Sequence, residues 1–392
     1  MEEYQAVLTP LQPKPGVGPS PKHMYEGVHV FRVVASILVV VFHAFLYWAG
    51  NAGKSATDAS DKLDDLVNQN IFLKLISFSN ISVDALIVLS GFLAGRSFLA
   101  SREFSFRRYL QNRIRRILFP YWSTLVATWV VSRLNTPIFD PIFSPEYCPR
   151  SLLLSPVLLN NFVGFGACGV HLWSVAVQFH LFVLFGLMCK VVQKLYRPTR
   201  DKWVDPAVAK RRMVGGCSVI ILVISVALRV VLAIQFSLTF PPPPFDRPGM
   251  TAATRDVAMR YYHVLYFFTP SRLTNFFVGV LMSLAMSAPR TWSTGEARIL
   301  ALVTSITAAA YLSLLKTVDF RSAHRWGPMS SALLFHGSPV ASLVMALLLA
   351  SSMINFGQWE GRPAIIPWLS DHSYLVYLIH PLLMRLALHF VL

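Results

Sequence analysis

Apolar runs of about twenty residues recur along nearly the whole chain, separated by polar stretches. Each run is about the length that crosses a hydrocarbon core as a helix. They predict nine membrane helices, near residues 29–49, 80–99, 117–133, 170–190, 214–236, 266–286, 298–316, 337–356 and 371–391. A shorter apolar stretch at 151–165 predicts a re-entrant segment or a tenth span. Residues 1–28 break the pattern: they are polar, carry Pro10, Pro13, Pro15, Pro19 and Pro21, and read as a disordered cytoplasmic tail. They lack the apolar core of a cleavable signal peptide, so the first span is expected to act as its own insertion signal. Residues 29–392 read as one membrane domain. The expected fold class is all-α, a polytopic membrane helix bundle of about nine to ten transmembrane helices.

Within the first run stand Arg32 near its start and His43 deep inside it. Eleven positions are about three helical turns, so both lie on one face, roughly 16 Å apart along the axis. A histidine at that depth is tolerated only against a protein interior or a water-filled cavity, which makes it a functional-site candidate. The plainer alternative is an interfacial arginine and a histidine satisfied by a neighbouring helix.

Composition supports the membrane class. The 392 residues are 54% hydrophobic and 14% charged, with a mean hydropathy of +0.52, whereas soluble domains carry about 25% charged residues. The net charge of +16 raises nucleic-acid binding, but its distribution argues against it. Arg102, Arg107, Arg108, Arg113, Arg115 and Arg116 share one loop; Lys190, Lys194, Arg197, Arg200, Lys202, Lys210, Arg211 and Arg212 share another. Before both of them, the 51–69 loop instead sets Asp58, Asp61, Asp64 and Asp65 against Lys54 and Lys62. Basic clusters in alternate loops follow the positive-inside rule and place the amino terminus and both basic loops in the cytoplasm. The 51–79, 134–169 and 237–265 loops then lie outside or in an organelle lumen. The surplus charge faces membrane lipid, and no nucleic acid is expected.

Cys148 and Cys168 fall in the 134–169 segment, on the oxidising side of that topology, and are a disulfide candidate. Cys189 and Cys217 read as packing residues at span ends. No spacing suggests a metal site, and there is no glycine-rich phosphate loop or nucleophile-elbow serine. No soluble catalytic domain is visible, so any chemistry must be done within the membrane domain. The absence of internal repeats weighs against a transporter of two related halves.

Asp84 enters the second run and calls for a partner on another span. Ser90-Gly91 permits close helix approach. Arg113, Arg115 and Arg116 lead into the third run. Arginine suits bidentate phosphate recognition, so this cluster is a candidate for the phosphates of coenzyme A; anchoring on anionic lipid is the alternative. Gln178, His180 and His171 at the start of the fourth run fit either a pocket or ordinary helix–helix hydrogen bonds. Arg272 opens the sixth run, after Pro270. His380 lies near the middle of the last run, and Pro381 beside it opens the local backbone.

Together these stretches resemble the acyltransferase 3 family of integral membrane acyltransferases. Arg32 and His43, with ten residues between them, match its hallmark. So do Ser90-Gly91-Phe92-Leu93 after Val83-Asp84, the arginine-rich run into Ile117-Leu118-Phe119-Pro120-Tyr121, Trp173-Ser174-Val175-Ala176-Val177, and Ser373-Tyr374 through Tyr377-Leu378 to His380-Pro381. Asn160-Asn161-Phe162, the cysteine before Trp173, and Pro270 with Arg272 before Gly279 resemble the eukaryotic nose-resistant-to-fluoxetine branch. The chain departs from the family at Gln178, where an acidic residue is common, and at His180, where a glutamine is.

The resemblance implies transfer of an acyl group, usually acetyl, from acyl-CoA as co-substrate to a hydroxyl of a carbohydrate or lipid acceptor, with no permanently bound cofactor. It implies a catalytic group of His43, Asp84 and Arg32. His43 is the base or acyl carrier, and Asp84 orients it. Arg113, Arg115 and Arg116 are expected to bind acyl-CoA. Trp173, Ser174, Gln178, His180, Arg272, Tyr374 and His380 are expected to line the acceptor pocket. The competing reading is a transporter or lipid-handling protein that uses its intramembrane histidine, aspartate and arginine as a proton relay. The membrane, plasma membrane or endomembrane, is not specified by the sequence.

Overall fold

A computed structural model describes residues 21–52, 66–67, 69–101, 104–131, 153–164, 167–195, 206–238, 252–287, 294–317, 327–356 and 364–391. They are helical, with no strand among them. The long helices are α1 (Pro21–Ala52), α3 (Ser82–Ala100), α4 (Phe106–Val131), α6 (Trp173–Leu195), α7 (Pro206–Gln235), α9 (Thr269–Ala285), α10 (Thr294–Lys316), α12 (Pro339–Asn355) and α13 (Ile365–Val391). The short ones are α2 (Ile71–Ser77), α5 (Asn160–Val163), α8 (Ala252–Tyr261) and α11 (Pro328–Leu334). Every predicted span therefore coincides with a long helix. Seven spans among the described residues are long and apolar enough to cross a membrane. The other two predicted spans, α4 and α13, have 26 and 27 residues, but α4 carries arginines from its first turn and α13 carries Asp371 and His372 in its second.

Two expectations are corrected. Helix α1 begins at Pro21, so residues 21–28 of the expected disordered tail are helical; residues 1–20 lie outside the described residues. The 151–165 stretch is not a span. Its described part is a set of turns and the single helical turn α5, with Leu158 and Gly164 at φ +62° and +63°. Tyr121 and Trp122 of α4 hold these turns by donating to the carbonyls of Ser155 (2.6 Å) and Pro156 (3.0 Å).

The tightest pair is α3 with α9, which run parallel. Gly91 and Gly279 make this possible: a Cβ on Gly91 would lie 1.9 Å from the Phe276 carbonyl oxygen, and one on Gly279 2.0 Å from that of Val88. Close backbone approach of this kind replaces the hydrophobic force that lipid cannot supply between helices. Helices α1 and α12 pack on the same centre. By contrast, α7 and α10 lie at the periphery. Ile220, Val223 and Ile224 of α7, and Ile299, Leu302 and Ile306 of α10, are exposed apolar side chains that suit hydrocarbon.

One end of the bundle gathers the basic segments. The carboxyl end of α3 and the amino end of α4 meet α6 through rings of Phe98, Phe104, Tyr109 and Phe185. Lys210 of α7 donates to the carbonyls of Phe98 and Ser101 at 2.8 Å, and Arg211 to that of Ser287 at 2.8 Å. These cations sit on the last carbonyls of α3 and α9, where the helix dipole favours positive charge. Helices α1 and α13 run parallel, as His29–Ser370 and His43–His380 require, and α4 runs with them: its Ile117 meets Tyr374, while its Thr128 lies beside Gly169, next to the His171 that bonds Leu378. Arg32 is therefore displaced from His43 towards the basic end.

Candidate functional site

Three histidines from three helices converge in the half of the bundle away from the basic end. His43 of α1 and His380 of α13 lie with Nδ1 and Nε2 3.0 Å apart and ring centres 4.8 Å apart. His171, just before α6, stands 6.3 Å from His380, centre to centre, and its Nε2 donates to the Leu378 carbonyl at 3.1 Å. Ser174 bonds to the Tyr377 hydroxyl. His171, Ser174, Tyr377 and His380 are buried, whereas His43 is half-buried. His43 Nδ1 is held by the Val39 carbonyl (2.9 Å) and by His380. No hydrogen bond from a described residue reaches its Nε2.

Across the start of α6 lies a second polar centre. Asp84 forms a buried salt bridge with Arg272 and accepts from the Gly337 backbone N–H at 2.7 Å. Gly337 adopts φ +72°, and a Cβ there would lie 2.7 Å from Arg272 Nη1; the turn needs a glycine. Arg272 also donates to the Tyr266 carbonyl at 2.7 Å and stacks near the rings of Tyr266 and Trp173, at 4.5 and 5.1 Å. Among the described residues no hydrogen-bond partner reaches its buried Nη2, nor either amide atom of Asn275 one turn on. Arg229 of α7, fully buried, donates to the carbonyls of Ala332, Leu265, Ser271 and His336 at 2.8–3.2 Å. It thereby satisfies backbone where the chain leaves regular helix, at the π-type turn Tyr262–Phe267 and the 335–338 turn. His336 in turn donates to Asn80 at 2.6 Å. Trp173 under Arg272 and Ser174 on Tyr377 are neighbours in sequence, so the first turn of α6 joins the two centres.

Residues 25–392 match the profile of the acyltransferase domain of the acyltransferase 3 family. The chain belongs to the acyltransferase 3 family. No curated protein and no solved structure matches it. It is an integral membrane protein carrying an acyltransferase domain.

Within this acyltransferase domain the expected site residues separate. His43, His380 and Ser174 come together. Asp84 does not orient His43: Arg272 and Gly337 occupy its two oxygens. His380 takes the place beside His43 that was expected of Asp84. Arg32 is half-buried three turns away and is not part of the histidine group. Trp173 is buried under Arg272 rather than lining an open pocket. Tyr374 ties α13 to α4 by donating to the Ile117 carbonyl at 3.0 Å. His180 bonds Thr269 at 3.0 Å, beside Asn161, and Gln178 is half-buried without a hydrogen bond from a described residue.

The arginine cluster also divides. Arg113 is half-buried, its guanidinium 4.5 Å from the centre of the Phe182 ring and 5.3 Å from that of Tyr109; Arg115 and Arg116 are exposed. Phe182 follows Ser174 by eight residues, so Arg113 lies about 12 Å along α6 from the histidine group. Cys168 is disulfide-bonded, and Cys189 and Cys217 are free; Cys148 lies outside the described residues. Sequence reasoning missed Arg229, His336, Asn80 and Asn275. Arg229 carried the signal used for His43, an ionisable residue deep in an apolar run.

Proposed function

We propose that this protein transfers an acyl group, acetyl in the simplest case, from cytoplasmic acyl-CoA to a hydroxyl of a carbohydrate or lipid acceptor, with His43 as the general base. The observation that carries this reading is the half-buried His43 ring. One nitrogen is held and the other is open, on the histidine that matches the family hallmark. In the reaction the open Nε2 takes the proton of the acceptor hydroxyl as its oxygen attacks the thioester carbonyl. The C–S bond then breaks, and the departing sulfur receives the proton from the His43 imidazolium. The proton balance closes without a permanent cofactor.

Exposed Arg115 and Arg116 at the basic end are assigned to the phosphates of CoA, with Arg32 between that end and His43. The donor then enters from the cytoplasm, where the positive-inside rule places the basic end, in the plasma membrane or an endomembrane. The motifs around Asn160, Trp173 and Arg272 support placement in the nose-resistant-to-fluoxetine branch.

The experiment is release of free CoA thiol from acetyl-CoA by the purified protein in lipid nanodiscs, with panels of carbohydrate and lipid hydroxyl acceptors. The expected result is acceptor-dependent release that His43→Ala eliminates. Undiminished release by a folded His43→Ala protein would remove the histidine from the chemistry.

A further inference from the structure

Pro381 supplies no backbone N–H, so the carbonyl of Tyr377, four residues earlier, loses its usual helical donor. His380 fills the vacancy: its Nδ1 lies 2.8 Å from that oxygen, with the Val376 oxygen at 3.3 Å. A carbonyl oxygen only accepts, so Nδ1 of His380 carries the proton. In the neutral ring its Nε2 is then an acceptor. That Nε2 faces Nδ1 of His43 at 3.0 Å, and the same Nδ1 lies 2.9 Å from the Val39 carbonyl oxygen. Both neighbours of His43 Nδ1 are acceptors. Its proton therefore resides on Nδ1, shared between them, and Nε2 keeps its lone pair. The ring of His380 is fixed from its other sides by Tyr377 and His171, at centre distances of 6.0 and 6.3 Å.

We propose that His380, set by the proline that follows it, is a positioning residue that joins the Val39 carbonyl in holding the His43 Nδ1–H, and so fixes the ring with Nε2 presented as the base. This rests on the reading of His43 as general base. It adds a source for the ring's second anchor: a missing backbone N–H in the last helix, transmitted through one imidazole to another. As His43 takes up the acceptor proton, its Nδ1–H becomes a charged donor, and the bond to His380 strengthens with the reaction. A charged orienting carboxylate is not needed, which accounts for Asp84 being committed to Arg272.

The test uses the full chain in nanodiscs. His380→Phe keeps a ring but removes the acceptor; His380→Gln places an amide oxygen near the position of Nε2. His380→Phe is expected to lower kcat about 10- to 100-fold, the scale of loss when the hydrogen-bonded partner of a metal-ligating histidine is removed, with KM for acetyl-CoA unchanged. His380→Gln is expected to recover most of kcat. Pro381→Ala, which returns an N–H to the Tyr377 carbonyl, is expected to give a smaller fall of the same kind. Independently of activity, nitrogen-15 spectra of histidine-labelled protein should show His43 protonated on Nδ1, the signal being identified by its loss in His43→Ala. In His380→Phe, where the Val39 carbonyl alone still accepts from Nδ1–H, that signal should stay on Nδ1 but shift and broaden as the ring loses its second anchor. A wild-type His43 protonated on Nε2, or a His380→Gln protein no better than His380→Phe, overturns the proposal. If no acceptor supports transfer but the tautomer signal behaves as described, the positioning role stands and the acyl-transfer reading fails.

Discussion

Arg229 and His43 look alike along the chain, each an ionisable side chain deep in an apolar run, yet their surroundings put them to opposite uses. The guanidinium of Arg229 is consumed by four backbone carbonyls where α9, α11 and the 335–338 turn depart from regular helix. Around it, Asp84 is held by Arg272 and Gly337. That centre solves a membrane problem, since non-helical backbone at such depth must find partners inside the protein. The histidine group spends only one nitrogen of His43 on structure and leaves the other open. Polarity inside a membrane thus marks a position as constrained. Whether it marks chemistry depends on how many of the group's bonding positions the protein has already filled.

The sharpest way to break this comparison is Asp84→Ala. It strands the buried Arg272 charge, and removing one partner of such a pair costs about 3–5 kcal/mol. We expect a large drop in thermal unfolding temperature in detergent, with activity lost only in proportion to folded protein. If instead Asp84→Ala is stable but inactive, the carboxylate is catalytic and the two regions are one site. His43→Ala tests the other side. We expect kcat to fall by about 10²- to 10⁴-fold, the usual contribution of a general base, with the unfolding temperature unmoved. An equal loss of stability would make His43 a packing residue.

The same contrast recurs at the basic end on a smaller scale. Arg115 and Arg116 are exposed, so Arg115→Gln with Arg116→Gln should raise KM for acetyl-CoA and leave the acceptor KM alone. Hydrogen bonds to charged groups are worth about 1.5–3 kcal/mol each. Unchanged donor affinity by calorimetry would reduce these arginines to lipid anchors. Arg113, packed on Phe182 and Tyr109, should behave structurally. Its replacement by Gln should lower stability by about 0.5–2 kcal/mol, the range for a cation over an aromatic face. A selective rise in donor KM would reassign it to the CoA site.

The nine long helices were legible because apolar length is a local property, read from residues in a row. The 151–165 stretch misled for the same reason. It is apolar, but Pro156 and the left-handed Leu158 and Gly164 prevent a continuous helix, and side chains of α4 supply its hydrogen bonds. The π-type turn over 262–267 was not legible because Tyr262-His263-Val264-Leu265-Tyr266-Phe267 holds no glycine or proline and was read partly as loop and partly as span, while a donor that permits the turn comes from Arg229 on another helix. For the site, sequence pointed to His43, Arg272, Ser174 and His380 as individuals. Their pairing was not legible, since Asp84 meets Arg272 across 188 positions and Ser174 meets Tyr377 across 203. A partner that distant leaves no periodic trace in a single chain.

The pairing of α1 with α13 has a consequence for how the protein is made. His43 emerges from the ribosome 337 positions before its partner. Throughout synthesis, α1 must sit in the bilayer with one face unclaimed, held at its amino-terminal end by the Ser352 hydroxyl on Gly27 only after α12 arrives. A chain interrupted before residue 380 can thread its earlier helices and still lack half of the histidine pair. Arrival of α13 is therefore what arms the site, and fragments released ahead of it carry the family hallmark without the means to use it.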